Sequence, residues 1–285
     1  MIQDIAPHRF DNTYRPTAPE PNSFVLRYEG QECWMKRTEE EIVFPTFAEL
    51  RKKNGRKDLM SKEIAFAWTY LFSIDEERYY LVEEPDLELP PEYRKENVQV
   101  FRDADPQYRA FAGITGHQLF HWYRKHHYCG QCGSQTKQDK KERMLYCENC
   151  GNMEFPKICP AVIIAVTDGN RLLLSKYAGR IYKKYALLAG YTEIGETIEE
   201  TVRREVLEEV GLKVKNIRYY KSQPWAFSET ELMGFYCDLD GEDSIRLDQE
   251  ELSMAEWFER EEIPVTPLRD SLTNEMIMQF KNGVV

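Results

Sequence analysis

Ile198, Val202, Val206 and Val210 recur at every fourth position, which on an α-helix draws a single buried stripe. Thr197 followed by Glu200 has the form of a capping box, and Gly211 is a natural left-handed stop, so the pattern predicts a helix over about 197–210. Glu205, Glu208 and Glu209 stand at i, i+3 and i+4 and gather on another face of that helix. Each like-charge pair costs roughly 0.2–0.5 kcal/mol on an exposed helix. The cluster therefore reads either as a solvated acidic face or as a seat for an oxygen-loving divalent cation.

Elsewhere the apolar pattern is short and alternating. Segments 23–28 and 32–36 flank Glu29-Gly30-Gln31 as a hairpin, and 64–74 with 78–83 flank Asp75-Glu76-Glu77 as another. A short helix is predicted over 46–54, stopped by Gly55. Residues 1–22, with Pro16, Pro19 and Pro21, read as an extended lead-in, and the acidic, proline-bearing stretch 83–92 as a connector. These elements make an α+β N-terminal domain over 1–104. Asp105-Pro106 opens a helix to about His126 carrying Phe111, Ile114, Leu119, Trp122 and Tyr123. On it His117 and His121 lie four apart; with no carboxylate or cysteine nearby in sequence, they read as a packed or solvent-facing pair. From residue 156 onward, strands are predicted at 161–167 and 171–175 around Asp168-Gly169-Asn170, then at 185–188, 214–221 and 232–239, with a closing helix at 271–281.

Length and composition change this picture little. The chain has 285 residues, 42% hydrophobic and 13% aromatic, enough for two domains and a small module. It contains no run of eighteen apolar residues, and its first ten residues lack a basic and then apolar leader, so the expectation is a cytoplasmic protein with no membrane partner. The net charge of −11 speaks against indiscriminate nucleic-acid binding, which depends on basic side chains neutralising phosphates.

Cys129-Gly-Gln-Cys132 and Cys147-Glu-Asn-Cys150 are paired C-x-x-C knuckles, fourteen residues apart and each followed by glycine. Four thiolates at this spacing point to a structural Zn²⁺ in a 105–155 segment of linker helix and ribbon. A pair of disulfides or a redox C-x-x-C are the alternatives; a reducing compartment disfavours the first, and paired knuckles are atypical of thioredoxin-like sites. Cys33, Cys159 and Cys237 lie in apolar stretches and read as small buried residues.

Gly190, Glu196, Arg204, Glu205, Val206, Glu208, Glu209, Gly211 and Leu212 together match the signature of the Nudix hydrolases. The resemblance implies a C-terminal Nudix α/β/α sandwich with a mixed sheet over 156–285, hydrolysing a nucleoside diphosphate linked to another group with the help of Mg²⁺ or Mn²⁺. Ser222-Gln223-Pro224-Trp225-Ala226-Phe227-Ser228, following a zinc ribbon and this box, resembles the hallmark of the NAD(H) pyrophosphatases. Ala226 and Ser228 stand where that family has prolines, and Thr230 replaces its final serine. Because Pro224 fits poorly inside a paired strand, the segment is expected to be a shaped loop; Trp225 and Phe227 are either base-stacking walls or core aromatics at a strand end.

What the resemblance implies residue by residue is specific. Glu205, Glu209, Glu251 and the main-chain carbonyl of Ala189 would hold the catalytic metal, and Arg204 would orient Glu205. Glu208 is the choice for general base, with Glu205 or Glu209 the alternatives. Phe155, Tyr191, Ser222, Gln223, Pro224, Trp225, Ala226, Phe227, Ser228 and Glu229 would wall the substrate, with Thr273 at a position where the family's small residue is not matched. The implied reaction splits NADH or NAD⁺ into nicotinamide mononucleotide and AMP in a homodimer. Its alternatives are ADP-ribose, a dinucleoside polyphosphate, an NAD-capped RNA, or a nucleic-acid-binding regulator with a degenerate Nudix domain.

Overall fold

Residues 161–167, Ala-Val-Ile-Ile-Ala-Val-Thr, are all buried, as a strand covered on both faces must be. In the computed structural model, which describes residues 1–54, 68–179, 183–269 and 271–285, they lie within the strand Cys159–Asp168 at the centre of a six-stranded mixed sheet. One flank of this strand pairs in parallel with Thr230–Leu239 along its length. The other flank is shared: Leu188–Tyr191 takes its first half and Arg171–Tyr177 begins at Thr167, both antiparallel. Val214–Trp225 and Leu252–Glu259 form the two edges.

The two-residue period of the central strand sends Val162, Ile164 and Val166 to one face and Ile163 and Ala165 to the other. The helix Ile198–Val210 buries Val202, Val206 and Val210 on the first face; Leu272–Lys281 buries Leu272, Met276, Ile277 and Phe280 on the second. The result is the expected α/β/α sandwich. With each of these aliphatic side chains worth about 1.5–3 kcal/mol when fully buried, the two faces hold the helices firmly in place.

The chain divides into two compact units, this sandwich (158–225 and 229–285, with Met1) and a second comprising residues 2–157 and 226–228. The second unit has mixed α and β structure. Its core is crossed by the helix Gln107–Lys125, which buries Phe111, Ile114, Leu119, Phe120, Trp122 and Tyr123. The short helix Phe47–Asn54 starts at a reciprocal cap, the Glu49 amide donating to Thr46 Oγ1 and the Thr46 amide to Glu49 Oε2. Its expected stop at Gly55 lies outside the described residues, as do 64–67 of the second hairpin; the remainder, Trp68–Ile74 with Glu77–Val82, pairs as expected.

Four expectations require correction. The first hairpin survives only as Tyr28–Glu29 against Glu32–Arg37, because Phe24–Leu26 leaves it to pair in parallel with Glu77–Val82. The lead-in is not wholly extended and peripheral: Phe10–Asp11 adds a strand to Trp68–Ile74, and Ile2 and Ile5 are buried. The 222–229 segment is mostly not a loop. Ser222 to Trp225 finish the strand Val214–Trp225, with Pro224 opposite Glu231 and Trp225 opposite Thr230, and only Ala226–Ser228 forms a single 3₁₀ turn. Pro224 is tolerated because its strand is a sheet edge, where a missing N–H need not face a neighbour. Cys33 and Cys237 are buried as expected, whereas Cys159 is partly exposed.

Candidate active site

The acidic helix begins as its sequence predicts. The Glu200 amide donates to Thr197 Oγ1 while Glu200 Oε2 accepts from the Thr197 amide, and Gly211 ends the helix at φ 71° with its N–H on Leu207 O. This fixes which carboxylates face inward. Glu205 and Glu209, one turn apart, are 8% and 2% exposed, while Glu208 points to solvent. A solvated acidic face is thereby excluded.

A buried carboxylate needs compensation, and for Glu205 Arg204 supplies it. Its Nε and Nη2 grip Glu196 at 2.6 and 2.9 Å, Nη1 reaches Glu205 at 2.7 Å and Glu208 at 2.9 Å, and Nη2 also donates to the Tyr191 carbonyl at 2.9 Å. The planar fork of arginine suits this multiple grip; a lysine ammonium does not. Glu196 is itself braced by the Thr201 hydroxyl at 3.0 Å and the Glu193 amide at 3.1 Å. The Arg204 guanidinium, with the Glu193 amide, holds the Glu196 carboxyl down at about 2. Glu205 moves the other way: burial pushes its carboxyl up, against the pull of Arg204, and the charges of Glu208 and Glu251 add to the rise.

The strand Leu188–Tyr191 carries the other wall of this site. A Cβ at Gly190 would fall 1.8 Å from Cδ of Glu205, so the carboxylate occupies the space that any side chain would take. Ala189, next to it, pairs with Ile163 of the central strand. Glu251 is brought in from a different segment. The Asp248 amide donates to Glu209 O and the Arg246 amide to Val210 O, each at 2.9 Å, satisfying the helix's last carbonyls, and the Glu251 carbonyl accepts from Ala178. Nothing in the sequence around Arg246 and Asp248 announces this role, which exists only once the helix end is in place.

Carboxylates and a main-chain carbonyl are hard oxygen donors of the kind Mg²⁺ or Mn²⁺ takes. The set fits such an ion in a second respect: Glu205 is raised by burial and like charge, a strain that a divalent cation relieves. Among the described residues, however, no three of the glutamate side chains close to within 4.8 Å of one another, as the four cysteines do.

The four cysteine sulfurs all lie within that distance, with Cys129 to Cys150 at 3.5 Å and Cys132 to Cys147 at 3.4 Å. The two knuckles are near copies. Gly133 donates to Cys129 O and Gly151 to Cys147 O, each at 2.9 Å, with φ of 75° and 76°. Only glycine takes that conformation without strain. Hydrogen bonding from Ser134, then Asn149, holds the Cys132 thiol down at about 5, toward the thiolate a metal takes. The site is a closed four-sulfur one, suited to structural Zn²⁺.

The proposed substrate walls are dispersed. Tyr191 is half exposed, its hydroxyl 3.4 Å from Thr230 Oγ1, and Phe155 is also half exposed. Ser222, Pro224 and Trp225 are on the edge strand, and Glu229, at φ 59°, turns the chain and accepts from the Cys159 amide. Gln223 is fully buried, and its Oε1 accepts from Leu272 N–H at 2.7 Å, so its side chain caps the closing helix rather than facing solvent. Ala226, Phe227 and Ser228 belong to the second unit, where Arg102 lies 4.6 Å over the Phe227 ring. Thr273 sits, partly buried, in the first turn of the closing helix. His117 is buried and bonded to Gly30 O, and His121 packs against it, a packed pair as expected.

Residues 157–279 match the family model of the NUDIX domain, and residues 124–155 match that of the NADH pyrophosphatase zinc ribbon domain. The chain is similar to the NAD-capped RNA hydrolase NudC of Actinobacillus succinogenes, at 40% identity over 60% of this chain and 68% of that protein. It is likewise similar to the NudC of Mannheimia succiniciproducens, at 39% identity over 57% of this chain and 63% of that one. The alignments thus span about two thirds of these relatives' length. Among solved structures, a NUDIX hydrolase from Nitrosomonas europaea aligns with a TM-score of 0.47 at 24% identity, covering 54% of this chain and 90% of that chain.

Proposed function

The chain belongs to the Nudix hydrolases, in the group that carries the NADH pyrophosphatase zinc ribbon, and from that premise we propose that it hydrolyses the diphosphate bridge of NADH or NAD⁺ to nicotinamide mononucleotide and AMP. The observation that carries this reading is the pair of inward carboxylates, Glu205 and Glu209, with Arg204 spanning Glu196, Glu205 and Glu208. Glu205, Glu209, Glu251 and the Ala189 carbonyl are the ligands for Mg²⁺ or Mn²⁺. When bound, the metal neutralises phosphate charge and lowers the proton affinity of a water.

The chain's own residues do the rest. Arg204 keeps the Glu205 carboxylate turned toward Gly190, and Glu196 keeps Arg204 in place. Glu208, exposed yet tethered by Arg204 at 2.9 Å, is the group that accepts the proton of the attacking water. Tyr191 and Trp225 offer flat apolar faces for a base. The finer division into 1–104, 105–155 and 156–285, a cytoplasmic setting and a homodimer belong to the same reading. Among the described residues no helix is long and apolar enough to cross a membrane.

The name of the relatives favours a second substrate with the same bond, the NAD cap of an RNA. Product analysis decides between them. NADH, NAD⁺, ADP-ribose and an NAD-capped RNA are each incubated with Mg²⁺ and with Mn²⁺, and the expected products are nicotinamide mononucleotide with AMP or with a 5′-monophosphate RNA. Turnover of ADP-ribose alone, or of none, overturns the proposal.

A further inference from the structure

Glu251 is exposed, so packing does not fix its side chain, and its place is set by the main chain on either side of it. Its charge adds to burial in pushing the Glu205 carboxyl up. Two like charges separate unless the backbone that carries them is held. The bonds that hold it converge on one residue, Asp248.

Asp248 bonds both forward and back along the chain. Its amide donates to Glu209 O at 2.9 Å, which is the main chain of another proposed ligand. Its Oδ1 accepts from the Glu250 amide and its carbonyl from the Leu252 amide, each at 2.9 Å, so both neighbours of Glu251 are tied back to it. A side-chain oxygen that takes the amide two residues on closes a turn that main-chain bonds alone leave looser. Beyond Glu251 the chain is fixed as well. Leu252 is buried opposite Tyr177, and the register slips at Ser253, whose hydroxyl donates to the carbonyls of Lys176 at 3.1 Å and Tyr177 at 3.2 Å. A bulge of this kind re-aims the residues beside it. The Glu251 carbonyl itself accepts from the Ala178 amide at 2.8 Å.

We propose that Asp248 is a positioning residue of this hydrolase: it links the end of the acidic helix to the turn that carries Glu251, and so keeps that carboxylate with Glu205 and Glu209 as one set for a divalent cation. The inference rests on the reading of Glu251 as a metal ligand. Asp248 acts as a hydrogen-bond acceptor and not as a charge, so an amide oxygen in the same place serves as well. Outer partners that orient ligands are worth about ten- to a hundredfold in metal affinity.

The probe is Mn²⁺ titrated into the full-length, zinc-loaded protein and followed by electron paramagnetic resonance, in which the signal of the free ion is lost on binding. Asp248→Ala is expected to weaken Mn²⁺ binding about ten- to a hundredfold, as Glu251→Gln does, with a melting temperature before Mn²⁺ addition close to that of wild type. Asp248→Asn, which keeps the acceptor oxygen, should restore the affinity. Unchanged affinity in Asp248→Ala beside a weakened Glu251→Gln overturns the inference and leaves the ligand set standing. Unchanged affinity in Glu251→Gln overturns the ligand reading and the inference with it. Equal losses in Asp248→Asn and Asp248→Ala would make the charge the cause and also overturn it. An Asp248→Ala chain that melts far below wild type counts against it too, because Asp248 would then hold the fold rather than aim a ligand.

Discussion

The cysteine cluster and the glutamate cluster proposed for the catalytic cation are presented differently by the chain. The four sulfurs close to mutual distances under 4.8 Å on glycine-turned knuckles, with short main-chain hydrogen bonds setting each one. The glutamates come from one helix and a distant segment, two of the helix's three inward and one outward, and an arginine ties Glu205 and Glu208 to Glu196. The thiols can be neutral and so can approach one another before any ion arrives, whereas carboxylates at the same separation repel. A closed set of ligands makes a metal part of the fold, and a set kept open by a guanidinium leaves it as a participant in chemistry.

The sharpest way to break that contrast is at the ribbon. Replacing one ligand, Cys147→Ser, removes a thiolate from a site whose metal affinity is folding energy. The expected outcome is insoluble or proteolysed protein with substoichiometric zinc by elemental analysis. Soluble, active, zinc-free Cys147→Ser would make the two clusters alike. At the glutamates the effect should fall on turnover alone. Glu209→Gln is isosteric and should lower kcat by two orders of magnitude or more, with the melting temperature within a few degrees of wild type. Near-normal hydrolysis of every pyrophosphate substrate would remove this site from the reaction.

Arg204→Lys tests whether the arginine is what keeps the glutamates open. Activity should drop by about ten- to a hundredfold, because an ammonium cannot grip Glu196 with two parallel bonds while reaching Glu205 and Glu208. The pH dependence of metal-free stability gives a second reading. Glu196, held at about 2 against an ordinary 4.5, contributes stability that is complete above pH 4.5 and is lost as the pH falls toward 2. Glu205 is raised, so its contribution has the opposite sign: it is present on the acid side and lost as the pH rises through its folded value. Urea midpoints measured from pH 6 to 3 should show an acid-side fall in wild type that is weaker in Arg204→Lys. An unchanged profile would mean that Arg204 does not govern Glu196.

The smallest effect is expected at the edge strand. Trp225→Ala should reduce kcat/KM for NADH by about tenfold, roughly 1.4 kcal/mol, and reduce hydrolysis of a small diphosphate much less. Equal losses on both would place Trp225 among the residues that merely support the strand end.

How far these features could be read in advance depended on the reach of the interactions behind them. The acidic helix was legible because its start, stop and buried stripe are local matters of Thr197, Glu200, Gly211 and three valines. The zinc knuckles were legible for the same reason. The inward burial of Glu205 was not, since it rests on Gly190, from the strand Leu188–Tyr191, leaving the space that the carboxylate fills. Pro224 pointed to a loop because a single sequence does not reveal which strand is an edge. Phe24–Leu26 was assigned to the wrong partner because its parallel pairing with Glu77–Val82 spans some fifty residues of chain.

The close approach of Gly190 to Glu205 also bears on how this gene tolerates mutation. Alanine, the mildest replacement a single nucleotide change can introduce, would put a methyl group where the carboxylate now rests. Position 190 has no charge, no proton and no lone pair of its own to contribute from a side chain. A saturation screen would nevertheless rank it with the glutamates, and a survey of inherited variants that weighted sites by chemical reactivity would pass over it.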